Sequence, residues 1–593
     1  MCGIAGILGG DTGRLRGMVA ALRHRGPDHE GVFEAEGVGL GHARLSIIDL
    51  SAASDQPFVD GATGAVLAFN GEIYNYRELR MRLEAAGRRF ASAGDTEVIL
   101  QGYLEEGVAF LGRLNGMYAL ALWDPRTRRT LLARDPVGVK PLHYAQAPGG
   151  PLVFASEAKA LHPFLGRFDL DSVGLAGYLR FHYPVGGRTL THGILRFPPG
   201  QAWEVDQAGR IVARHAIGAL PLPPGPAPDA KALWRLLDAA VRRQMVADVP
   251  VGAFLSGGID SSVVTFLAAR ATPTPLATFS VGFDAAGAST DERPAAAAFA
   301  ELLGARHRDV EVRGQDALRE LGAISWHYDG PLGEGACVPN YFVARLARQE
   351  VTVVLAGEGG DEVFGGYPRY LEHERLEAVA RRLPRGKAVA RLAERLAPAG
   401  RRALAGALLR PERSERYAAL LEWHRPRQLR AAGLPVPGLG PLGRGETPLD
   451  LDRRTLLLDC FLPKADASCM AHGLEERVPL LDLELVARAA PIPLAQKLGP
   501  PGKRLLREAA RPHLGAVADR PKQGYGTPVE AWMRGAFADA AEGARRDPAA
   551  VREGLVSPRT WQALAKPGTG RTAWLLFALD VWVRELRRRG VLG

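Results

Sequence analysis

The sequence predicts a two-part chain: an α+β N-terminal half and an α/β C-terminal half built on a parallel sheet. Three observations carry this. As far as about residue 205, short alternating apolar segments are punctuated by Gly and Asp. A Pro-rich stretch then intervenes, Leu220-Pro221-Leu222-Pro223-Pro224-Gly225-Pro226-Ala227-Pro228. Beyond it, apolar runs alternate with long helical patterns, as parallel strands joined by crossover helices do.

Taken in order, Val38–His42, Ala65–Phe69, Tyr118–Trp123 and Thr130–Arg134 read as strands, with helices over Tyr76–Ala86 and Asp95–Glu106. The Pro-rich stretch is stiff and packs poorly into any element. Residues 206–230 therefore read as a linker between an N-terminal domain, 1–205, and a C-terminal domain, 231–593. In the latter, Val249–Leu255, Leu276–Phe283 and Val351–Ala356 are the expected parallel strands. Past about residue 370 the chain reads almost entirely as Ala/Leu/Arg helix, and no internal repeat stands out.

Composition narrows the classes. With 593 residues, 47% hydrophobic and 24% charged, the chain has ample material for a core. Its four cysteines, Cys2, Cys337, Cys460 and Cys469, show neither metal-ligand spacing nor a disulfide framework, which fits a reducing cytoplasm. No signal peptide is expected, because Arg14 and Arg16 follow the apolar start and no long apolar core comes after them. The run Ala573–Val583 is too short for a membrane span and carries Asp580. The net charge of +10 comes largely from Arg scattered on helices, without interleaved aromatics, so no nucleic-acid partner is expected.

Three centres carry chemistry. Cys2 follows the initiator Met. Once Met1 is trimmed, a thiol and an α-amino group that titrates at about pH 8 sit on one residue, nucleophile and base together. The second centre, Ser256-Gly257-Gly258-Ile259-Asp260-Ser261-Ser262, lies between an apolar strand and a helix start. Glycines there let the backbone approach a phosphate while amides point outward, and Asp260 beside a phosphate implies a divalent ion between them. It is not a Walker loop, since no Gly-Lys-Ser/Thr is present. The third, Gly357-Glu358-Gly359-Gly360-Asp361-Glu362, again ends an apolar strand, where open parallel sheets bind ligands.

These centres, with His24–Asp28, Arg44–Asp49, Asn70–Asn75, Gly94–Glu97, Arg134–Leu142, Ser280–Phe283, Glu475–Asp482, Lys503–Arg507 and Arg520–Tyr525, resemble the glutamine-hydrolysing asparagine synthetase family over nearly the full length. The resemblance implies a four-layer αββα N-terminal-nucleophile hydrolase domain of the class II amidotransferase type. It also implies a doubly wound ATP pyrophosphatase domain with a helical extension. Cys2 would attack the glutamine carboxamide, with Asn70 and Gly71 as the oxyanion hole. Arg44 would pair with the glutamine carboxylate, and Glu72 and Asp95 with its ammonium. Ser256, Gly257, Gly258, Ser261, Ser262 and Gly357 would hold ATP, with Leu255 and Val281 at the adenine. Asp260 and Asp361 would reach the pyrophosphate through Mg²⁺. Lys503 would stabilise the pentacovalent phosphorus, and Glu358 would take a proton as ammonia attacks. Glutamine, ATP and aspartate are the implied substrates; a homodimer is allowed and not required.

The chain departs from the family where the acceptor should be set. The segment Tyr328–Tyr341 carries Gly330 and Gly333-Glu334-Gly335-Ala336-Cys337 where the family has other residues; Gly287–Glu292 and His215-Ala216 also differ. A relative amidating another carboxylate is therefore the alternative expectation. Phosphoribosyl and hexosamine amidotransferases would lack the Ser256 loop, and β-lactam-forming relatives would lack Cys2.

Overall fold

The computed structural model describes residues 2–218, 220, 222, 225–284, 291–382, 406–521, 526–565 and 570–592. Met1, three of the linker prolines, residues 287–290 and residues 522–525 of the Arg520–Tyr525 match lie outside this set.

Two antiparallel sheets make the N-terminal half. One runs in the order β10 (Ile194–Arg196), β8 (His143–Gln146), β9 (Leu152–Ala155), β1 (Gly3–Leu8), β3 (Val38–Arg44), β2 (His29–Ala35). The other runs β12 (Ile211–Ala216), β11 (Gln201–Asp206), β7 (Arg129–Arg134), β6 (Gly116–Asp124), β5 (Val66–Ile73), β4 (Phe58–Val59). Side chains alternate along a strand, and β5 shows the result. Val66 and Ala68 face the other sheet, meeting Ile4, Leu40 and Phe154. Leu67 and Phe69 face outward, toward Leu79, Leu83, Val98 and Leu100 of the helices Tyr76–Ala85 and Asp95–Glu106. Helix Leu15–Ala21 and the 3₁₀ turn Ala158–Phe164 cover the opposite sheet. The result is the expected αββα stack.

The expected end of this domain at residue 205 falls inside β11, and β12 pairs with it antiparallel. Residues 211–216 are therefore sheet, and the connection begins after Ala216. Helix Ser172–Phe181 also crosses the division. It buries Leu175, Tyr178 and Leu179 in the C-terminal core with Trp574 and Leu575, and Tyr178 Oη donates to the Leu575 carbonyl at 2.8 Å.

The C-terminal sheet is parallel, ordered β15 (Arg306–Val312), β14 (Ala277–Phe283), β13 (Val251–Phe254), β16 (Val353–Leu355), β17 (Glu475–Arg477). Helices Ala230–Gln244, Ile259–Ala271, Arg293–Leu302 and Arg504–Leu514 pack on one face, and Gly314–Tyr328, Cys337–Ala347 and Gly570–Arg588 on the other. In chain order the strands run 3-2-1-4-5, a doubly wound arrangement whose direction reverses between β13 and β16. The loops that follow those two strands open onto one crevice. The sequence does not announce β15, a mostly polar edge strand, or β17, which interrupts the expected all-helical tail. Among the described residues no helix is long and apolar enough to cross a membrane.

Candidate active sites

Cys2, just before β1, lies against the end of β5. Its backbone nitrogen donates to Asn70 Oδ1 at 3.0 Å, and its Sγ is 3.9 Å from the Leu45 carbonyl. The neighbouring pocket, about 20 Å³, is lined by Cys2, Arg44, Gly71, Glu72 and Asp95, so three segments converge on the thiol. Gly71 is required by close approach, because a Cβ there would stand 2.1 Å from the Met117 carbonyl oxygen of β6. Asn70 is fully buried; its Oδ1 is spent on Cys2, while Nδ2 makes no hydrogen bond among the described residues.

Two buried carboxyls, Glu72 and Asp95, line this pocket. Burial pushes Glu72 well above the usual carboxylate range, and the nearby charges of Glu475 and Asp95 push it further. Burial raises Asp95 to about 6, against the Ile73 amide that donates to Oδ2 at 2.8 Å. A ligand ammonium would relieve both. Arg44 is held by its own loop: Nη1 donates to the Ser51 carbonyl at 2.9 Å and to Asp55 Oδ1 at 2.6 Å, and Nη2 to the Asp49 carbonyl. Burial pushes the Cys2 thiol up, so it needs a base to ionise.

The second centre is a cavity of about 340 Å³ at the carboxyl ends of β13 and β16. Gly257, with φ of 77°, turns the chain from β13 into helix Ile259–Ala271, whose first turn has no side-chain cap. Its amides are left as donors at a positive helix end. Ser256 and Ser261 line the cavity, their hydroxyls 3.0 Å apart. Leu255, Gly258, Val281 and Gly357 line it too. A Cβ on Gly357 would lie 2.8 Å from the Ser261 nitrogen, so the two loops touch and only hydrogen fits. Ser262 does not reach the cavity: it is fully buried one residue further along the helix, its amide bonded to the Gly258 carbonyl at 2.9 Å. Gly257 lies behind the lining, its carbonyl 3.4 Å from Arg520 Nη1.

Lys503 has the left-handed φ of 56°, uncommon for a residue with a side chain, and precedes helix Arg504–Leu514. Its Nζ pairs with Asp361 Oδ1 at 2.5 Å and with Asp260 Oδ2. Burial alone would depress this lysine, but the two carboxylates more than reverse that and keep it charged. The carboxylates that the resemblance assigns to Mg²⁺ thus converge on a point where a cation already sits. Glu358 lines the same cavity and accepts from Lys464 Nζ at 3.0 Å.

A family model for asparagine synthase matches residues 232–584, and one for the glutamine amidotransferase domain matches residues 1–216. The chain belongs to the asparagine synthase family. A Mycobacterium tuberculosis relative, provisionally named asparagine synthetase (glutamine-hydrolyzing), is 38% identical over 582 residues, 90% of this chain and 87% of that one. The Bacillus subtilis protein named asparagine synthetase (glutamine-hydrolyzing) 1 is 34% identical over 568 residues, 90% of this chain and 88% of that one. The amidotransferase match ends at Ala216, where β12 ends.

Sequence reasoning missed the residues that join the amidotransferase and synthase halves. Arg25, fully buried, donates through Nε to the Cys2 carbonyl at 3.0 Å and through both terminal nitrogens to Asp466, at 2.8 and 3.1 Å. Asp466 shares helix Leu462–Met470 with Lys464. Strand β17 contacts both halves, since alternate residues point opposite ways. Arg477 faces Glu72 at 3.5 Å, and Glu476 lines the synthase cavity. Burial, with the Glu358 charge adding, raises Glu476 to about 7. A charged triplet is a poor strand signal, and nothing local marks it as buried. From the segment Tyr328–Tyr341, Glu334, Ala336 and Asn340 line the cavity. Of Gly287–Glu292, only Asp291 and Glu292 are described, and Glu292 lines the cavity. His215 pairs with Glu204 at 2.8 Å across β11 and β12 and lines neither site.

Proposed function

We propose that this chain is a glutamine-dependent, ATP-dependent amide synthetase that forms AMP and pyrophosphate, with aspartate as acceptor and asparagine as product. The observation that carries the proposal is one chain holding a thiol pocket and a phosphate-type cavity, with β17 meeting Glu72 of the first through Arg477 and lining the second through Glu476. In the pocket, Cys2 Sγ attacks the carboxamide carbon of glutamine, and the freed α-amino group of Cys2 takes the thiol proton. Asn70 Nδ2 and the Gly71 amide face the developing oxyanion. Ammonia leaves, and water hydrolyses the thioester to glutamate.

In the cavity, an acceptor carboxylate oxygen attacks the α-phosphorus of ATP and pyrophosphate departs. Lys503 balances the charge that grows there, and the amides after Gly258 hold the phosphates. Ammonia then attacks the acyl carbon, Glu358 takes its proton, and AMP leaves. Asp260 and Asp361 offer hard oxygen donors that fit Mg²⁺, which when bound would offset pyrophosphate charge. Ammonia delivered inside the protein escapes protonation in bulk water. The free thiols Cys2, Cys337, Cys460 and Cys469 suit a reducing cytoplasm.

A second reading keeps this chemistry and changes the acceptor. Glu334 and Glu476 on the cavity wall favour it, because a second carboxylate on the acceptor would have to face them. An ATP–pyrophosphate exchange screen over aspartate and other carboxylic acids, with ammonium or glutamine as donor, separates the two. Aspartate-dependent exchange with asparagine formed supports the first reading; exchange with another acid alone moves the acceptor. Exchange with no acid, beside intact glutamine hydrolysis, overturns the synthetase reading. Cys2→Ala should abolish glutamine use and keep ammonium-dependent synthesis, and active protein should begin at Cys2 by intact mass.

A further inference from the structure

Three metal-ligating side chains from separate parts of the chain meet beside the synthase cavity, whose wall shares Glu334 with the cluster. His182 ends helix Ser172–Phe181 with a left-handed φ of 64°. Glu334 lies in the loop before helix Cys337–Ala347, and Cys460 in the π-helical stretch Arg453–Phe461. One imidazole nitrogen, one carboxylate oxygen and the thiol sulfur all lie within 4.8 Å of one another.

The imidazole is what needs explaining. Both its ring nitrogens are buried, and neither makes a hydrogen bond among the described residues. Nε2 stands 3.7 Å from Glu334 Oε2, too far for a hydrogen bond. Glu334 Oε1 is oriented by the Ala336 amide at 3.2 Å. Burial lowers the ring to about 4, so it is neutral, the form that ligates metals. Cys460 is fully buried and outside any disulfide. π-Helical turns are frequent at functional sites.

We infer that His182, Glu334 and Cys460 form a site for a divalent d-block cation, zinc being the expected ion. Nitrogen, oxygen and sulfur donors suit zinc, whereas Mg²⁺ and Ca²⁺ take oxygen alone. Ligands 2.0–2.3 Å from a tetrahedral ion stand roughly 3.3–3.8 Å apart, so the side chains need draw in by only about 1 Å. On binding, the Cys460 S–H proton leaves to solvent and metal–sulfur, metal–nitrogen and metal–oxygen bonds form, with no change of oxidation state. Thiolate and carboxylate then balance the two positive charges, and a water completes the fourth position. The ion would pin the loop that carries Glu334, which also walls the synthase cavity, to the end of helix Ser172–Phe181. The inference stands apart from the amide-synthetase reading.

The test uses the full chain, stripped by chelator and titrated with Co²⁺ alone. One equivalent should bind, with a thiolate-to-cobalt charge-transfer band in the near ultraviolet that Zn²⁺ abolishes. Cys460→Ser should lose that band. His182→Gln and Glu334→Gln should each weaken binding by more than about a hundredfold, since even outer-shell partners are worth 10- to 100-fold. Zn²⁺ should raise the melting temperature of the parent and not of the variants, with circular dichroism checking that each is folded. No retained cobalt, or an unchanged band in Cys460→Ser, overturns the site; in the second case the thiolate would come from Cys2, Cys337 or Cys469. If Cys460→Ser does not fold, unchanged affinity in both other variants overturns it equally.

Discussion

Lys464 Nζ stands 3.0 Å from Glu358 Oε1, both lining the cavity that Lys503 also lines. Burial works against the Lys464 charge, and Glu358 and Glu334 overcome it, so the ammonium persists beside the candidate base. Lys464 therefore fixes where Glu358 points. Lys464→Met should lower ammonium-dependent amide formation by about ten- to a hundredfold, within the range that positioned acid–base groups supply. Pyrophosphate exchange, which needs no ammonia, should fall much less. Equal losses in the two assays would make Lys464 a nucleotide-binding group.

Lys503 and Glu358 should separate the two half-reactions. Lys503→Ala removes the charge facing phosphorus and should cut exchange itself by about a hundred- to a thousandfold. Glu358→Gln keeps shape and loses the proton acceptor, so exchange should survive better than amide formation. If Glu358→Gln lost exchange as completely as Lys503→Ala, the base would lie elsewhere, with Glu476 the next carboxylate on that wall.

The pH profile of glutamine use should carry a limb at about 6. Burial raises Asp95 to about 6. Below that pH the carboxyl is neutral and cannot balance a glutamine ammonium; above it the charge is present. The KM for glutamine should rise as pH falls through about 6, while ammonium-dependent synthesis shows no such limb. Asp95→Asn should flatten the limb and raise KM throughout. A limb of equal size in both donors would assign it to the other half of the protein.

Arg477 is fully buried between Glu475 and Glu72, and it also donates to the Gln244 and Val246 carbonyls at 2.7 Å each. Removing one partner of a buried pair leaves a charge uncompensated, at a cost of about 3–5 kcal/mol. Arg477→Met should lower the melting temperature by several degrees and weaken both activities, since Arg477 meets Glu72 of the thiol pocket and its neighbour Glu476 lines the synthase cavity. Calorimetry of the folded variant beside the parent measures this; an unchanged midpoint would mean the carboxyls simply protonate.

Much of the architecture was legible because it is written in short range. The strands Arg129–Arg134 and Ala277–Phe283 and the helix Asp95–Glu106 follow, to within a residue, from period and composition over a few residues. The loop Ser256–Ser261 was legible for the same reason: strand, glycine turn and helix start are neighbours in the chain. Ser262 was misplaced because its loop reads as uniform while the helix turns that hydroxyl into the core. β15 and β17 were missed because polar residues at a sheet edge, or charged ones paired inside, carry no apolar alternation.

The αββα and doubly wound folds came with the family resemblance. By itself the sequence determined a strand-and-helix N-terminal half, a parallel α/β C-terminal half and the chemical parts, a thiol at Cys2 and glycine-rich loops after two apolar strands. These depend on covalent neighbours and on backbone preferences that act within one turn or strand. Only the tertiary structure decided that Lys503 stands between Asp260 and Asp361, that β17 sends Arg477 to Glu72 and Glu476 to the synthase cavity, and that Lys464 meets Glu358. It alone brings His182, Glu334 and Cys460 together, from cysteines whose spacing shows no metal motif. Such meetings are set by how helices and sheets bury their apolar faces. A side chain's partner is then whatever that packing brings within reach, which linear spacing does not encode.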